Sequence, residues 1–335
     1  ASGVMLVKTE VLLATDDAIR RAANLLRLGR LVAFPTETVY GLGADADNPQ
    51  AVQALFAAKG RPADHPVIVH LAEASQIDDW ATDIPLAAHR LADAFWPGPL
   101  TMILHRGRRA SDLVTGGLGT VGLRVPAHSV ARQLLQSFGG AIAAPSANRF
   151  GRVSPTSAAH VYDELAGRID LVLDGGECQV GLESTIVDLS SDCPAVLRPG
   201  GISVESLAAV LAGALRGATA GAPRVSGSLE SHYAPRARVE LVAQCELAAQ
   251  AERLSRQGRK VAVLARPGQI CPETAGLTII PVPADDEGLA RVLYAALRQV
   301  DALGCDWVLV ALPNEQGIGA AIADRLRKAA GPRAG

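Results

Sequence analysis

The sequence predicts an α/β protein with two domains. Its 335 residues are long for one domain and comfortable for two. Short apolar runs alternate with helical stretches, which is the pattern of a layered α/β fold. Between residues 216 and 238 the chain becomes rich in Gly, Ala, Ser and Pro and loses any sustained period, as a linker does. We therefore expect a domain with a large twisted mixed sheet at 1–215, a linker at 216–238, and a smaller doubly wound domain at 239–335.

The first part of the chain opens with a helix, predicted over residues 15–29. Thr15 offers a cap, Asp16 and Asp17 place negative charge in the first turn, and apolar or small residues follow at helical spacing. Apolar runs then indicate strands at 31–34, 66–71, 101–105, 121–125, 141–145, 171–175 and 184–189. Helical stretches between many of these runs favour one large sheet.

The last part of the chain alternates strand and helix more regularly. We predict strands at 239–243, 260–265, 278–283 and 307–312, and helices at 246–257, 285–303 and 316–330. This alternation is the signature of a doubly wound, Rossmann-like α/β domain.

Composition excludes several classes of protein. With 49% hydrophobic and 20% charged residues the chain can bury large cores, and a formal net charge of −2 does not advertise nucleic-acid binding. The five cysteines are scattered and never spaced C-x-x-C, which argues against a disulfide framework and a cysteine zinc site. No apolar run approaches the ~18 residues of a membrane helix, and the N-terminus lacks the pattern of a signal peptide. We expect a cytoplasmic protein with no membrane partner.

The most informative stretch lies between Leu31 and Leu71. An apolar run is followed by the hydroxyl-rich turn 35–38 and by two glycines that allow tight backbone geometry. A helical stretch predicted over 48–58 then brings Lys59 and Arg61 to its C-terminal end. The next apolar run carries His70. Hydroxyls, two cations and an imidazole gathered between two core strands indicate a pocket for a small anionic ligand.

A glycine motif between residues 117 and 122 satisfies G-x-G-x-x-G, the dinucleotide fingerprint. That motif needs a preceding strand and a following helix, but an apolar run ending at Pro126 follows here, so we reject the dinucleotide reading. Arg124 on this run can instead bind a carboxylate through two hydrogen bonds. The sequence also has no P-loop, no H-E-x-x-H and no G-x-S-x-G motif, and no metal-ligand spacing.

A set of ordered motifs resembles the YrdC-like family, the L-threonylcarbamoyl-AMP synthases. The motifs are PTETVYGLG, KGRP and PVIVHL within 35–71, FWPGPLT at 95–101, TVGLRVP at 120–126, APSANRFGRVSPT at 144–156, LESTIVDL at 182–189 and LRPGGI at 197–202. SGSLESHYAP at 226–235 resembles the linker of the longer, two-domain members. The resemblance is dense over residues 10–235 and rests on position and pattern beyond them.

The resemblance implies an enzyme, a nucleotidyltransferase that joins L-threonine, bicarbonate and ATP into L-threonylcarbamoyl-AMP and pyrophosphate. The product would serve the tRNA modification threonylcarbamoyladenosine, which a separate transferase complex installs. Mg²⁺ would arrive with ATP, held by phosphate oxygens and water and by no protein side chain.

The same resemblance implies the residues of the site. Lys59 and Arg61 would be catalytic, neutralising charge on phosphate, and the residues that bind ATP would be Arg61, His65, Thr120, Ser146, Asn148, Ser154, Arg198 and Tyr233. Those that bind L-threonine would be Thr36, Thr38, His70, Arg124, Ala144 and Ser184. Thr38 is the better candidate of the two threonines, because only one face of an extended segment lines a pocket. Tyr233 would act as a lid in the linker that closes over the nucleotide and excludes water.

Two departures and two alternatives remain. His65 stands where related sequences often have Asn, and Ala144 stands where they often carry a hydroxyl, so a contact from Ala144 must come from its backbone. One alternative is an RNA-binding module, or weak RNA binding beside the enzyme activity, through a basic face formed by Arg106, Arg108, Arg109, Arg149 and Arg152. The other is a carbamoyl-transfer enzyme of hydrogenase maturation. Members of that class carry zinc-finger cysteines and extra domains, which this sequence lacks.

Overall fold

The protein divides into two compact units. The structure, a computed structural model, describes residues 7–213, 215–217, 222–225, 232–269 and 276–331. The first unit comprises Ala1–Phe150, Ser154–Gln179 and Glu183–Ser226, and the second comprises Gly151–Val153, Val180–Leu182 and Gly227–Gly335. Residues 226–231 of the linker motif, and Cys271, lie outside the described residues.

The first unit is built on a large mixed sheet. Its described strands are β1 (Glu10–Leu13), β2 (Val32–Phe34), β3 (Gly41–Asp45), β4 (Ile68–His70), β5 (Ala81–Thr82), β6 (Leu100–Arg106), β7 (Thr120–Arg124), β8 (Ile142–Ala143), β9 (Leu171–Asp174), β10 (Thr185–Asp188), β11 (Ala195–Arg198) and β12 (Arg216–Gly217). They are ordered β1-β9-β2-β3-β8-β4-β7-β6-β10-β11-β12, with β5 paired to β6. Parallel pairs such as β4 with β7 alternate with antiparallel pairs such as β6 with β7. The mixed α/β class predicted from the sequence is confirmed.

The helices of the first unit cover both faces of one half of this sheet. They are α1 (Asp16–Arg27), α2 (Pro49–Lys59), α3 (Ile77–Trp80), α4 (Leu86–Phe95), α5 (Asp112–Thr115), α6 (Ser129–Phe138), α7 (Ala158–Leu165) and α8 (Val204–Leu211). Val32 and Phe34 pack in one buried cluster with α1 and α6, whereas Ala33 between them packs in the cluster with α2 and α4. This alternation follows from the period of two along a strand. Apolar side chains therefore bury both faces of the sheet at this end.

Local sequence explains where these helices begin and end. The Thr15 hydroxyl accepts the Ala18 N–H at the start of α1, and Asn48 caps α2 by accepting the N–H groups of Gln50 and Ala51. α2 ends at Gly60, whose φ of 63° is the left-handed conformation that glycine adopts without strain. The predicted helix at 15–29 is thus three residues longer than α1 (16–27), and α2 begins one residue after the predicted start.

Several strands of the sheet, β3 among them, lie outside the predicted apolar runs. The segment that contains Gly41 and Gly43, where the sequence indicates tight backbone geometry, is strand β3, paired antiparallel with β2 and with β8. Gly43 is required there for space, because a Cβ atom would come within 2.9 Å of Ile142 Cγ2 and of Phe34 Cε1. The two glycines therefore leave room for the Phe34 ring against the sheet and do not reverse the direction of the chain.

The second unit contains a small parallel sheet. Its strands β13 (Arg238–Leu241), β14 (Val261–Ala265), β15 (Leu277–Pro281) and β16 (Trp307–Val310) are ordered β13-β16-β14-β15. The helices are α9 (Leu247–Arg256), α10 (Asp286–Ala302) and α11 (Gly319–Ala329). All residues of β14 are buried, as expected for a parallel strand covered on both faces. Each predicted strand and helix of this part is present, with ends that differ by at most three residues.

None of the helices within the described ranges is both long and apolar enough to span a membrane.

Candidate active site

Several site residues of the first unit lie on one face of the main sheet. Ile142, which packs in the cluster with α1 and α6, stands opposite His70 in the β8–β4 pair, and His70 stands opposite Arg124 in the β4–β7 pair. Residues in register share a face, so His70 and Arg124 lie on the face that α1 and α6 cover further along the sheet. Along β7 the same face carries Thr120 and Gly122.

The turn before β3 brings two hydroxyls to Arg124. Thr36 Oγ1 donates to the Val39 carbonyl at 2.6 Å and lies 2.8 Å from Thr38 Oγ1. Since Thr36 uses its proton on Val39, the Thr38 hydroxyl donates to Thr36, and its oxygen accepts Arg124 NH1 at 3.0 Å. Thr36 therefore builds the turn, whereas Thr38 faces the guanidinium. This agrees with the preference for Thr38 over Thr36, whose contact with a substrate stays a prediction.

Arg124 also forms a buried ion pair. Its NH2 group donates to Glu37 Oε1 at 2.5 Å, and both side chains are less than a tenth exposed. Glu37 Oε2 accepts the Ala127 N–H at 3.0 Å. Burial alone would raise the pKa of Glu37, but the adjacent Arg124 guanidinium holds it below its usual value, so the pair is charged at neutral pH.

His70 stands beside this pair as a neutral imidazole. The ring is buried, lies edge-on to Phe34 with 6.3 Å between centroids, and has Nδ1 3.3 Å from the Ile68 carbonyl oxygen. Burial first, and the Arg124 charge second, lower the pKa of His70 to about 3. The ring can therefore exchange hydrogen bonds with a ligand without adding charge.

Ser184 closes the same end of the site from the start of β10. Its hydroxyl lies 2.7 Å from Thr101 Oγ1 on β6, and Arg198 from β11 donates to both the Ser184 hydroxyl and the Ser184 carbonyl. All three side chains are buried. Arg198, predicted to bind phosphate, is thus held against Ser184 by at least three hydrogen bonds.

Lys59 ties the end of α2 to the Pro145–Asn148 turn. Its Nζ donates to the backbone carbonyls of Ser146 and Asn148, and the side chain is almost completely buried. Burial first, and the Arg61 charge second, hold the pKa of Lys59 well below its ordinary value. The sequence prediction associated Lys59 with Ser146 and Asn148, and in this structure the bonds run to their carbonyls. The Asn148 amide donates to the Arg149 carbonyl at 2.8 Å.

Arg61 extends from the loop after α2 and is buried. Its NH2 group donates to the Pro66 carbonyl at 2.8 Å, and the guanidinium carbon lies 5.9 Å from the Phe150 ring centroid. His65 meets the same ring edge-on at 5.3 Å. Burial first, then the Arg61 charge, lower the pKa of His65, so its imidazole is largely neutral at neutral pH. Two planar groups therefore flank Phe150.

An apolar floor lies between the two ends of the site. Ile68, Gly122, Ile103 and Ile186 stand on four adjacent strands of the same face and line a cavity of about 20 Å³ that Thr120 also borders. Val225 covers this floor and packs in one buried cluster with Ile103 and Ile186. With the cover in place, the space holds about one water molecule.

Three further predicted residues have defined surroundings. Ser154 is buried and donates to Glu183 Oε1 at 2.5 Å. Ala144 is buried and offers only backbone, its N–H donating to the Ile68 carbonyl at 3.0 Å. Tyr233 belongs to the second unit, where it is buried with φ of 59°, stacks on Tyr294 at 6.0 Å, and lies under the guanidinium of Arg325 at 5.2 Å.

The expected basic face is partly neutralised within the first unit. Arg106 bonds to Asp112 at 2.6 Å, and Arg109 makes two hydrogen bonds to Asp47. In the described ranges, no group of three or more His, Cys, Asp or Glu residues could hold a metal ion.

Sequence reasoning missed three buried polar residues of the site: Glu37, Thr101 and Glu183. Glu37 lies in the turn 35–38, and the sequence did contain a sign of its role. An acid in an otherwise apolar and hydroxyl-rich turn needs a cationic partner when it is buried. Thr101 and Glu183 had no local signal, since only the pairing of β6 with β10 brings Thr101 to Ser184.

Fold and site together define an α/β protein whose main sheet carries buried, charge-paired polar groups on either side of an apolar floor. The Sua5/YciO/YrdC family model, described as Telomere recombination, matches residues 24–200. The model described as Threonylcarbamoyl-AMP synthase, C-terminal domain, matches residues 202–331. The chain belongs to the Sua5/YciO/YrdC family, in the form that carries the Sua5 C-terminal domain, as the resemblance predicted.

Curated relatives match over nearly the whole chain. A protein of Pyrococcus abyssi named threonylcarbamoyl-AMP synthase is 42% identical over 328 residues, covering 94% of each chain. A protein of Bacillus subtilis with the same name is 41% identical over 342 residues, covering 97% of this chain and 96% of the relative. Among solved structures, Sua5 of P. abyssi complexed with L-threonine matches with a TM-score of 0.89 and 40% identity over 97% of each chain.

Proposed function

We propose that this protein is an L-threonylcarbamoyl-AMP synthase, a nucleotidyltransferase that converts ATP, L-threonine and bicarbonate into L-threonylcarbamoyl-AMP and pyrophosphate. The observation that carries this proposal is the end of the site around Arg124, where the guanidinium meets the Thr38 hydroxyl and stands in register with a neutral His70. The Ser184 hydroxyl lies beyond the intervening strand β6, bonded to Thr101. These groups suit the carboxylate, amine and hydroxyl of a small amino acid. Full-length relatives that share this name, one of them solved with L-threonine, support the assignment.

The reaction needs positioning and charge stabilisation rather than an enzyme nucleophile. The threonine amine and bicarbonate combine to a carbamate with loss of water. A carbamate oxygen then attacks the α-phosphorus of ATP, and the bond to the β,γ-diphosphate breaks so that pyrophosphate leaves. Arg124 and Ser184 would hold threonine in reach of the phosphorus, with Thr36 supporting Thr38 from behind. Holding two reactants in line supplies much of the rate of such a transfer.

ATP would occupy the remainder of the same face. The apolar floor suits a flat base, with Thr120 at its border, and the polar groups around Arg61 suit phosphate oxygens. Lys59 would act through the turn it holds, because its bonds to the Ser146 and Asn148 carbonyls aim that turn. His65, Ser154, Arg198, Ala144 and Tyr233 remain predicted contacts of the substrates.

We further propose that Mg²⁺ enters with ATP. The acids described near the site, Glu37 and Glu183, each accept a hydrogen bond from a neighbouring side chain, so phosphate oxygens and water are the available ligands. When bound, the ion would screen phosphate charge.

The wider setting of the activity is also a proposal. The adenylate is a labile mixed anhydride, so a transferase complex acting on tRNA would consume it directly. A cytoplasmic location is supported by the four described cysteines, Cys178, Cys193, Cys245 and Cys305, all of which are free.

Weak RNA binding is a separate proposal, and the pairing of Arg106 and Arg109 with acids weighs against it as the main role. A filter-binding titration with tRNA at increasing salt tests it, since phosphate contacts weaken steeply with salt.

The deciding experiment is pyrophosphate release from ATP by the purified protein in the presence of Mg²⁺, with and without L-threonine and bicarbonate. Release that requires both substrates is the expected result. Release that ignores threonine would contradict the substrate assignment, and a folded protein that releases none would contradict the activity.

A further inference from the structure

Glu37 is a buried carboxylate of the site to which neither family resemblance nor reaction chemistry assigns a role. It is 5% exposed and lies between two donors: Arg124 NH2 on β7, and the N–H of Ala127 just after that strand. One carboxylate therefore binds both the last side chain of β7 and the backbone just after that strand. An acid buried in this way is costly unless both oxygens are satisfied, which is the case here.

The ion pair with Glu37 leaves several N–H groups of the Arg124 guanidinium available to a ligand. NH1 donates to Thr38 and NH2 to Glu37, each using one N–H of its group. The buried Nε–H has no acceptor within hydrogen-bond distance among the residues that the structure describes. Arg has five N–H donors in a fixed plane, so holding two of them fixes the direction of the other three.

We infer that Glu37 is the positioning residue of the amino acid subsite: it fixes the guanidinium plane of Arg124 so that the remaining N–H groups meet the substrate carboxylate. The inference rests on the proposed function, since it takes a free amino acid as the ligand. Glu37 itself touches no substrate in this account and acts through Arg124. Partners of this kind orient the liganding group and limit its motion, as outer partners do at metal sites.

The turn sequence explains why the acid is at this position. Glu37 lies between Thr36, which closes the turn on Val39, and Thr38, which meets Arg124. The same turn thus presents a hydroxyl to NH1 and a carboxylate to NH2, and the two contacts lock rotation of the guanidinium. A glutamine at this position would keep the size and one acceptor but lose the charge-assisted bond.

The test compares Glu37→Gln with wild type by pyrophosphate release, varying L-threonine at saturating ATP and then ATP at saturating L-threonine. We expect the KM for L-threonine to rise by about 10- to 100-fold, the range seen when an outer partner of a ligand is removed. The KM for ATP should stay within about twofold, because Arg124 does not reach the phosphate end in this account. Glu37→Asp, which keeps the charge, should recover part of the loss.

A double-mutant cycle with Arg124→Gln separates positioning from a general structural effect. If Glu37 acts through Arg124, Glu37→Gln has no further effect on L-threonine affinity in the Arg124→Gln background. Binding is measured by calorimetric titration of L-threonine, which does not depend on turnover. Asp170→Asn is the matched control, because Asp170 also accepts a backbone N–H, that of Leu31, but lies at the opposite end of β2 and β9.

Several outcomes would overturn the inference. These are additive effects in the cycle, a lower KM for L-threonine in Glu37→Gln, and equal rises in both KM values. Failure of the proposed function looks different, since wild type itself would then show no threonine-dependent pyrophosphate release. If a Glu37→Gln protein does not fold, judged by circular dichroism, Glu37→Asp decides instead, and equal rises in its KM values for L-threonine and ATP would overturn the inference.

Discussion

The two units of this protein treat buried polar groups in opposite ways. Of the nineteen buried polar or charged residues within the described ranges, seventeen belong to the first unit and only His232 and Arg325 to the second. The second unit is a small parallel sheet whose strand β14 is buried throughout, and the cavity at the carboxyl ends of β13 and β16 is lined mainly by apolar residues. Burying polar groups lowers stability unless each one is paired. The buried polar groups that form the site therefore lower the stability of the first unit. The second unit is stabilised mainly by apolar packing.

The largest effect is expected from Arg61→Ala in the first unit. Removing a single charged group that stabilises a transition state costs about 2–4 kcal/mol, or roughly 30- to 1000-fold in kcat/KM. Pyrophosphate release measures it. Arg109→Ala is the matched control, since Arg109 is an arginine of the same unit paired with Asp47 at the surface, and its kcat/KM should stay within about twofold. An unchanged kcat/KM in Arg61→Ala would remove Arg61 from the catalytic assignment.

Packing dominates the second unit, so its most sensitive positions should be steric. A Cβ atom on Gly319 would lie 1.9 Å from the Asn314 carbonyl oxygen, whereas one on Gly317 would meet nothing within 4 Å. We expect Gly319→Ala to destabilise by about 3 kcal/mol, as overpacking does. Gly317→Ala should cost about 1 kcal/mol for its positive φ of 56°.

Hydrogen exchange followed by mass spectrometry tests this pair of glycine variants. Gly319→Ala should speed exchange in β16 and α11 more than Gly317→Ala does. Equal exchange rates in the two variants would show that the loop before α11 accommodates the added methyl group without loss of stability. Packing in the second unit would then be less strict than the close contact at Gly319 indicates.

A smaller effect is expected from Ser184→Ala. The substitution removes the hydroxyl that meets Thr101 and Arg198 and leaves their hydrogen bonds unmade. The expected cost is about 1–2 kcal/mol, seen as a rise of roughly 5- to 30-fold in the KM for L-threonine. Ser191→Ala serves as control, because Ser191 is exposed and its hydroxyl donates to the Cys193 carbonyl. A loss confined to thermal stability would assign Ser184 a structural role alone.

The last prediction concerns pH and His70. The pKa of this imidazole is about 3 in the folded protein and about 6.5 in an unfolded chain. As the pH falls below about 6.5 the unfolded state binds the proton first, so stability is full above that value and declines toward pH 3. The slope for one group reaches about 1.4 kcal/mol per pH unit.

Denaturant unfolding at pH 7, 6 and 5 measures the contribution of His70. His70→Asn should flatten the decline by the share of one group, and His89→Asn, at an exposed histidine, should leave it unchanged. A decline in His70→Asn as steep as in wild type would show that the imidazole is not held neutral.

Much of this fold could be predicted because its signals are local. Thr15 and Asn48 cap helices by contacts within three residues, and the regular alternation after residue 238 marked each element of the second unit. Strand β3 was not predicted because its two glycines also suit a turn. Only its pairing with β2 and β8 decides between a strand and a turn. The comparisons with known proteins confirm the predicted family and activity, while the individual site residues stay predictions.

The parts of the site that were missed depend on long-range contacts. Glu37 and Arg124 are 87 residues apart, and Thr101 and Ser184 are 83 residues apart. Val225 belongs to the segment predicted as a linker, and no local pattern identified Ile103 and Ile186 as its packing partners. No periodicity in a local window encodes such partners, since they follow from strand order.

The trio of Arg124, Glu37 and His70 has a consequence for which amino acids the site admits. One positive charge, one negative charge and one neutral ring sum to zero, so the trio itself is electroneutral at physiological pH. An electroneutral enclosure accepts a zwitterion without leaving a net charge out of water, whereas an amino acid with a charged side chain would bring one. In the proposed amino acid subsite, the pairing of charges would therefore select substrates by ionic state as well as by size and shape.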